Sequence, residues 1–357
     1  MLRTTLGLFV LPASAALLIG CDDHRAPVEP SYGSVALARA SKGTTELATL
    51  TKLPSLGSNS EALAVDESGS VIVGHSFDRA GRLYAVKWTW QSGSWVISTL
   101  PYPGSARATG VDNQGGAAGY FASIPQKAVL WPVGSEARVL GCASDVGQST
   151  ASGISADGQV VVGSGGIWRT ATPGSCGENL PALAEGGGSS AVTVNGDGTI
   201  VGGSSTPNPS ADPLPVRWRS TGGQWQVEQL DTRRGRASGA NAAGDLAGFV
   251  AEPCTVDGGC QRAVVWYAAG GSLDLGRLGA DRSNGTDINS GGEVVGVSTA
   301  NGRSTAFFWS SSLGVRPLAA KGSDAVARAV SNVRSDGTRL VVGMAGVSAA
   351  VWVVRNP

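Results

Sequence analysis

A pattern that recurs seven times constrains the fold of this chain more than any other feature. Each copy has a short apolar segment, a turn rich in Asn, Asp and Gly, and a second apolar segment that ends in glycine, as in SGISADGQVVVG (152–163). The order strand, turn, strand predicts a β-hairpin. The turn glycines lie 40 to 48 residues apart, at Gly69, Gly115, Gly158, Gly198, Gly244, Gly292 and Gly337.

Two further apolar segments extend each repeating unit. The third segment ends on tryptophan, at Trp88, Trp131, Trp168, Trp218, Trp266, Trp309 and Trp352. An aromatic residue at a fixed repeat position predicts packing between neighbouring units rather than a ligand cage. A fourth segment follows in the first six units, but little chain remains after Trp352. ELATLTKLP (46–54) has the same character, so we predict that it pairs with the last unit and removes its exposed edge.

These units predict an all-β chain. Units of this length with four short strands are typical of propeller blades. We therefore expect a seven-bladed β-propeller of four-stranded blades over residues 46–357, with the last blade closed by the N-terminal strand. The glycines after Val160 also resemble a phosphate-binding loop. Such a loop needs a helix after it, whereas residues 167–177 contain Pro173 and Gly174 and have no helical period.

The first 20 residues have the layout of a signal peptide. Arg3 precedes an apolar run from Leu6, and small residues lead to Cys21. LIGC (18–21) resembles the lipobox of bacterial lipoproteins, which implies cleavage before Cys21 and lipidation of its thiol. The alternative is an ordinary cleavable signal with an incidental cysteine. Residues 21–45 show little periodicity and predict a lipidated tether.

With acyl chains such as palmitate on Cys21, the chain would be held at a membrane by its lipid anchor alone. The signal and the lipobox-like segment therefore predict an exported, membrane-anchored lipoprotein of the bacterial cell envelope. Either the periplasmic face or the cell surface fits, because the acids after Cys21 sort lipoproteins differently in different lineages.

The repeats resemble the HAF family of bacterial extracellular repeats. The resemblance covers nearly all of residues 46–354 and is clearest in the sixth unit, LDLGRLGADRSNGTDINSGGEVVGVSTANGRSTAFFWS (273–310). It implies an exported, β-propeller-like repeat protein without assigned catalytic residues. The family's histidine before Ala-Phe is absent here, and the corresponding residues are Tyr84, Lys127, Arg262 and Thr305.

Few residues suit catalysis or metal binding. The chain has two histidines, His24 in the tether and His75, which we expect to be solvent-exposed in a loop. A zinc site with several histidines is therefore excluded, and a catalytic triad could use only His75. NGDG (195–198) lacks the further oxygen ligands of a calcium loop. We predict no enzymatic activity, no metal and no cofactor. Acidic residues recur near the hairpin turns, and we expect them to cap these turns: Asp66, Asp112, Asp157 and Asp197.

The cysteines fit an oxidising compartment. With Cys21 lipidated, four cysteines remain. Cys254 and Cys260 bracket a short loop and are expected to form a disulfide. Cys142 and Cys176 then pair by elimination.

The predicted binding face consists of long loops on a rigid scaffold. Lys+Arg and Asp+Glu balance at 27 each, so no global field attracts nucleic acid. A local cluster in DTRRGRA (231–237) suits a carboxylate or a glycan acid, although a solvated loop is the simpler interpretation. We assign to this face Arg233, Arg234, Arg236, Tyr84, Lys127 and Arg262.

The sequence therefore predicts a monomeric, non-catalytic binding or scaffold module for an envelope protein or polysaccharide. The alternative is a propeller-type glycan hydrolase or lyase that uses carboxylates in a central channel. An enzyme of that kind needs two such carboxylates within catalytic distance of each other, whereas a binding module does not.

Overall fold

The computed structural model describes residues 47–355 except 103, 123, 143–146, 165, 173, 255–258 and 277. The described residues form β-strands joined by turns and loops, and none lies in an α-helix, which confirms the all-β prediction. This part of the chain accordingly has no helix with the length and apolar character needed to cross a membrane. The predicted signal peptide (1–20), the lipidated Cys21, the rest of the tether (to residue 45) and His24 lie outside the described residues.

The strands in the first half of the chain occur in the order that the sequence repeats predict. We number the seven repeats as units 1 to 7. One strand precedes unit 1, namely β1 (Ala48–Lys52). Unit 1 contains β2 (Gly57–Val65), β3 (Val71–Asp78), β4 (Leu83–Gln91) and β5 (Ser94–Thr99). Unit 2 contains β6 (Ala106–Val111), β7 (Ala117–Phe121), β8 (Lys127–Trp131) and β9 (Arg138–Val139). Unit 3 contains β10 (Ala151–Ile154), β11 (Val160–Gly163) and β12 (Gly166–Arg169).

The second half continues the same order. Unit 4 contains β13 (Ser189–Val194), β14 (Ile200–Ser205), β15 (Leu214–Thr221) and β16 (Gln224–Gln229). Unit 5 contains β17 (Gly235–Ala240), β18 (Leu246–Glu252), β19 (Cys260–Trp266) and β20 (Ser272–Gly276). Unit 6 contains β21 (Arg282–Ile288), β22 (Val294–Ala300), β23 (Arg303–Ser310) and β24 (Gly314–Pro317). Unit 7 contains β25 (Ala325–Val330), β26 (Thr338–Ala345) and β27 (Ser348–Arg355).

Within each unit, consecutive strands pair antiparallel to form one sheet. Units 5 and 6 share a sheet only through a parallel bridge between Gln261 and Arg282. Unit 3 departs from the prediction because its fourth segment (179–183) forms no strand, and only a bridge between Ile167 and Glu178 remains. Pro181 interrupts this segment and has no N–H to donate to a ladder.

Strand β1 adds a fourth strand to unit 7. It pairs antiparallel with β27, from Ala48 opposite Val354 to Lys52 opposite Ala350. Unit 7 also contacts unit 1 through Ser60, whose N–H donates to the Val347 carbonyl at 3.1 Å. Residues from opposite ends of the described chain therefore pack together.

A β-bulge occurs at the same place in the first strand of every unit. In unit 1 it lies between Ala62 and Ala64, and corresponding register shifts are present in the other six units. Such a bulge bends the strand and increases its twist. The glycine that ends the apolar run of the second strand faces this distortion. A Cβ on Gly74 would lie 2.0 Å from the Glu61 carbonyl oxygen, so the recurring Val-Val-Gly is a steric requirement.

The repeated tryptophans form the core between units. All seven are buried, with relative exposures from 0% to 9%, which confirms the packing prediction. Four indole Nε1 groups donate to a backbone carbonyl of the preceding sheet's unit, after its fourth strand or, in unit 3, within the segment that replaces this strand. These bonds run from Trp88 to Pro54, Trp131 to Pro101, Trp218 to Pro181 and Trp352 to Ala319, at 2.7 to 3.0 Å.

Candidate functional site

The first strands of all seven units line one polar cavity of about 260 Å³, which we call the axial cavity. Hydroxyl, amide and backbone groups provide much of its wall, because the residue after the bulge is alanine or glycine in five of the seven units. Two side chains in the wall belong to carboxylic acids, Glu67 of unit 1 and Asp287 of unit 6. This cavity is the best candidate site for a small polar ligand among the described residues.

Asp287 is the most unusual residue of the axial cavity. It follows the bulge of β21, where five other units have alanine or glycine. One carboxyl oxygen accepts the Ile288 N–H and the other accepts the Val330 N–H of unit 7, both at 2.9 Å. Burial raises the pKa of Asp287 to about 7, against the weaker opposing effect of these two bonds. Asp287 therefore exchanges its proton near neutral pH.

The other acid of the cavity has a different setting. Glu67 begins the hairpin turn of unit 1, and its Oε2 accepts a hydrogen bond from Asn113 Nδ2 of unit 2 at 3.0 Å. The Asn113 amide oxygen in turn accepts the Glu67 N–H at 3.2 Å. Units 1 and 2 are thus joined by a reciprocal pair of bonds, and Glu67 serves this junction.

Arg328 lines the axial cavity at the junction of units 7 and 1. It is the bulge residue of β25, and its Nε donates to Glu61 Oε1 of unit 1 at 2.8 Å. The bulge residue Thr109 likewise reaches the next unit, where its hydroxyl donates to the Ala151 carbonyl at 2.8 Å. The bulge therefore directs its side chain toward the following unit.

His75 lies beside this junction in β3 and is only 5% exposed. The prediction of a solvent-exposed loop histidine was therefore wrong. Burial, with Arg107 and Arg328 nearby and Glu61 opposing, lowers the pKa of His75 to about 4. Its imidazole packs edge-on against Phe77, and no described residue bonds its Nδ1. His75 is consequently a neutral core residue at physiological pH.

The fold of this chain is similar to that of several proteins with solved structures. No family model and no curated protein matches the chain. Among solved structures, it is similar to virginiamycin B lyase from Staphylococcus aureus, with 11% identity over 86% of this chain and 99% of that one and a TM-score of 0.54. It is also similar to the β-propeller domain of Cps50 (Swd1) from Myceliophteria thermophila, with 11% identity over 87% and 100% and a TM-score of 0.52.

A third similar structure is the β-propeller domain of the Trilobed protease from Pyrococcus furiosus, described as having an open velcro topology. The identity is 10% over 87% of this chain and 94% of that one, with a TM-score of 0.50. The chain has a β-propeller fold. At these identities the likeness extends to the fold alone.

The propeller pairs two of its predicted anion-binding arginines with acids. Arg233 bonds Asp231 at 2.8 Å and lies 3.7 Å from Glu252. Arg262 bonds the same Glu252 and also Asp274. The structure thus brings Arg233 and Arg262 together, as the sequence could not show, but three carboxylates offset their two charges. An anionic ligand would have to displace these acids.

Of the other residues assigned to the binding face, Arg234 and Arg236 follow Arg233 in the chain, whereas Tyr84 and Lys127 belong to units 1 and 2. Arg236 is exposed, and its guanidinium lies 5.9 Å from the centre of the Phe249 ring. Arg234 is exposed in the connection between units 4 and 5. Tyr84 lies under the guanidinium of Arg82, and the ammonium of Lys127 donates to the Gly147 carbonyl at 2.6 Å.

The recurring turn acids cap the hairpins, as predicted. One carboxyl oxygen of Asp66 accepts the Ser70 and Val71 N–H groups, both at 2.7 Å. Asp112 accepts the Gln114 and Gly116 N–H groups, and Asp157 and Asp197, which directly precede the turn glycine, accept the N–H two residues further on. Groups of three or more His, Cys, Asp or Glu residues suited to a metal ion are absent from the described part of the propeller.

Both predicted disulfides are present. Cys142 and Cys176 connect units 2 and 3, and Cys254 is bonded to Cys260, the first residue of β19. Sequence reasoning therefore located the covalent links of the propeller. It did not identify Asp287, although aligning the units marks this residue as an acid at a position where most units have alanine or glycine.

Proposed function

We propose that this chain is a lipid-anchored, non-catalytic binding or scaffold module of the bacterial cell envelope. In this proposal the seven units are the blades of a closed propeller of HAF repeats. Support for closure comes from the pairing of β1 with β27 and from the bond between Arg328 and Glu61. The LIGC segment (18–21) supports the anchor on Cys21.

One observation carries the non-catalytic assignment. Both carboxylates of the axial cavity bond protein groups that join neighbouring units, Glu67 to Asn113 of unit 2 and Asp287 to the Val330 N–H of unit 7. Paired catalytic carboxylates must instead face a shared substrate bond. The two acids of the cavity therefore serve the scaffold, and we assign the recognition of a polymeric partner to the outer loops and hairpins.

The anchor and the binding role are tested separately. Growth with a palmitate analogue is expected to label the natural protein, whereas Cys21→Ser is expected to lose both the label and its membrane association. Purified full-length protein is then mixed with solubilised envelope protein and with polysaccharides. Retention of an unaltered partner supports a binding module, whereas cleavage of a polysaccharide contradicts it.

A glycan hydrolase or lyase remains the second candidate because of Asp287. A carboxyl group with a pKa of about 7 suits proton transfer at neutral pH. If the protein cleaves polysaccharides, Asp287→Asn is expected to abolish cleavage and retain binding. The measurement is the appearance of new reducing or unsaturated chain ends.

A further inference from the structure

Three of the ten tryptophans lie outside the repeated core position: Trp90, Trp95 and Trp225. All three are in hairpins that join the third and fourth strands, in units 1 and 4. Trp95 and Trp225 occupy equivalent places and pack their partly buried rings against the core between their own unit and the preceding one. Trp90 pairs with Trp95 across the hairpin, whereas Ser220 has that place opposite Trp225. Packing therefore explains Trp95 and Trp225, but the fold does not require Trp90.

Trp90 presents a large apolar surface to solvent. It is 53% exposed, and its ring centre lies 5.3 Å from that of Trp95, with 70° between the ring planes. Edge-to-face contacts of this kind are favourable and restrict the ring. Trp95, anchored in the core of units 7 and 1, thus fixes the orientation of Trp90.

The hairpin that carries Trp90 is also well ordered by its own bonds. Its tip, Ser92 and Gly93, has positive φ values of 48° and 86°, as a tight two-residue turn requires. Gln91 Nε2 donates to Thr89 Oγ1 at 2.9 Å, and Ser94 Oγ donates to the Gln91 carbonyl at 3.3 Å. An aromatic side chain held in this way loses little freedom when it binds a partner.

The chemistry of the hairpin selects the partner. Residues 89–99 contain no charged side chain, and their exposed polar groups are hydroxyls and one amide. An anionic membrane surface is normally recognised by Lys and Arg, which are absent here. An exposed indole next to neutral hydrogen-bonding groups matches the C–H faces and hydroxyls of a sugar. Because Trp90 lies on an exposed hairpin, a long polymer covers it better than a small molecule.

We propose that Trp90, held by Trp95, is a stacking platform for an uncharged polysaccharide. The proposal rests on the binding role above and specifies its ligand class. The test is native electrophoresis of the full-length protein in detergent through gels containing dextran, mixed-linkage β-glucan or galactomannan, with alginate as an acidic comparison. At least one neutral polymer is expected to retard the protein more than alginate does.

Two variants test whether the polysaccharide binds at Trp90. Trp90→Ser, which copies unit 4, is expected to weaken retardation about tenfold or more, as for an aromatic hot spot. Trp90→Tyr keeps a ring and is expected to recover part of the affinity. The matched control is Val347→Ser, which changes an equally exposed apolar residue of unit 7 (62% exposed) and is expected to bind normally. The Tm of Trp90→Ser is expected to stay within about 2 °C of the natural value, because the ring is largely exposed.

Three outcomes would contradict the proposal that Trp90 is a stacking platform for an uncharged polysaccharide. If Trp90→Ser binds a neutral polymer as the natural protein does, sugar binding lies elsewhere and the proposed function stands. If no neutral polymer retards the natural protein, the uncharged polysaccharide class fails, and an acidic polysaccharide or a protein partner is left for the binding role. If Trp90→Ser instead loses binding to phosphatidylcholine vesicles or to an envelope protein, the tryptophan serves that surface.

Discussion

The junction between units 7 and 1 and the junction between units 2 and 3 are held in different ways. At the first, β27 is eight residues long and pairs on both sides, with β26 and β1. Ser60 bonds both Val347 and Ala349 there. At the second, the fourth strand of unit 2 has two residues and unit 3 has no fourth strand. The disulfide between Cys142 and Cys176 spans this poorly paired region.

The difference between the two junctions shows how a repeat protein can include a unit with few paired strand residues. Backbone ladders and buried apolar contacts hold the ends of the described chain together without a covalent link. Where the ladder is short, a disulfide restricts the unfolded chain and compensates for missing hydrogen bonds. The two junctions therefore respond to different perturbations, and four measurements separate them.

Removing the disulfide of units 2 and 3 is expected to have the largest effect. It joins cysteines 34 residues apart, whereas Cys254 and Cys260 are 6 apart. Loop-closure entropy gives a loss of about 4 kcal/mol for Cys142→Ser/Cys176→Ser and about 2 kcal/mol for Cys254→Ser/Cys260→Ser. Guanidinium unfolding followed by circular dichroism measures both. Equal losses would show that the weak junction does not depend on its covalent link.

Acid is expected to weaken the junction of units 7 and 1. The pKa of His75 is lowered from 6.5 to about 4, so between these pH values the unfolded chain binds a proton that the folded chain does not. Stability therefore falls as the pH falls from 6.5 to 4, by about 3 kcal/mol. His75→Gln is expected to remove this slope in unfolding measured at several pH values.

The titration of Asp287 changes stability with pH in the opposite direction, so its contribution must be removed from the His75 experiment. Its pKa is raised from 3.8 to about 7, so its contribution to stability is full below pH 3.8 and is lost as the pH rises through 7. The His75 comparison is therefore made in an Asp287→Asn background. A pH slope that persists there without His75 would assign the acid sensitivity to another group.

A smaller effect distinguishes two core tryptophans. Trp352 donates its Nε1–H to the Ala319 carbonyl at 2.8 Å, whereas Trp168 Nε1 has no partner among the described residues. Both Trp→Phe changes remove similar volume, but only Trp352→Phe leaves a carbonyl without its donor. We expect it to cost about 1 kcal/mol more than Trp168→Phe in chemical unfolding. An equal or reversed order would mean that the indole bond adds no stability.

The smallest effect is expected for the ion pair at the junction of units 7 and 1. Arg328 is partly exposed, so its bond to Glu61 is screened by water and salt. A double-mutant cycle with Arg328→Ala and Glu61→Ala is expected to give a coupling of about 0.5 kcal/mol that declines in 1 M salt. A coupling above about 2 kcal/mol would make this pair, rather than strand pairing, the main link of the junction.

Local pattern was enough to locate most strands and the core. Alternating apolar residues and turn glycines depend on neighbours in sequence, so they marked the hairpins and the seven buried tryptophans correctly. The exception, residues 179–183, contains Pro181, whose missing N–H outweighs the apolar pattern. The disulfides were also predictable, because the short spacing of Cys254 and Cys260 left one other pair.

The candidate site depends on contacts between units, which no local pattern reports. His75 was expected in a loop, but a longer β3 buries it beside Arg107 of unit 2. Arg233 and Arg262 meet at Glu252 because the connection that carries Arg233 lies beside strands β18 and β19, which carry Glu252 and Arg262, and this contact offsets charges that looked free in the sequence. The pKa of Asp287 likewise results from enclosure by several units.

The placement of the tryptophans gives the protein a built-in optical reporter. Seven indoles occupy one repeated, buried environment, while Trp90 is 53% exposed. Emission from the buried set is therefore expected to be blue-shifted and shielded from acrylamide, and Trp90 is expected to contribute most of the red, readily quenched part, with smaller contributions from the partly buried Trp95 and Trp225. A ligand that covers Trp90 removes the quenchable fraction alone, whereas separation of the units shifts the whole spectrum. Occupancy and unfolding can thus be followed in one unlabelled sample.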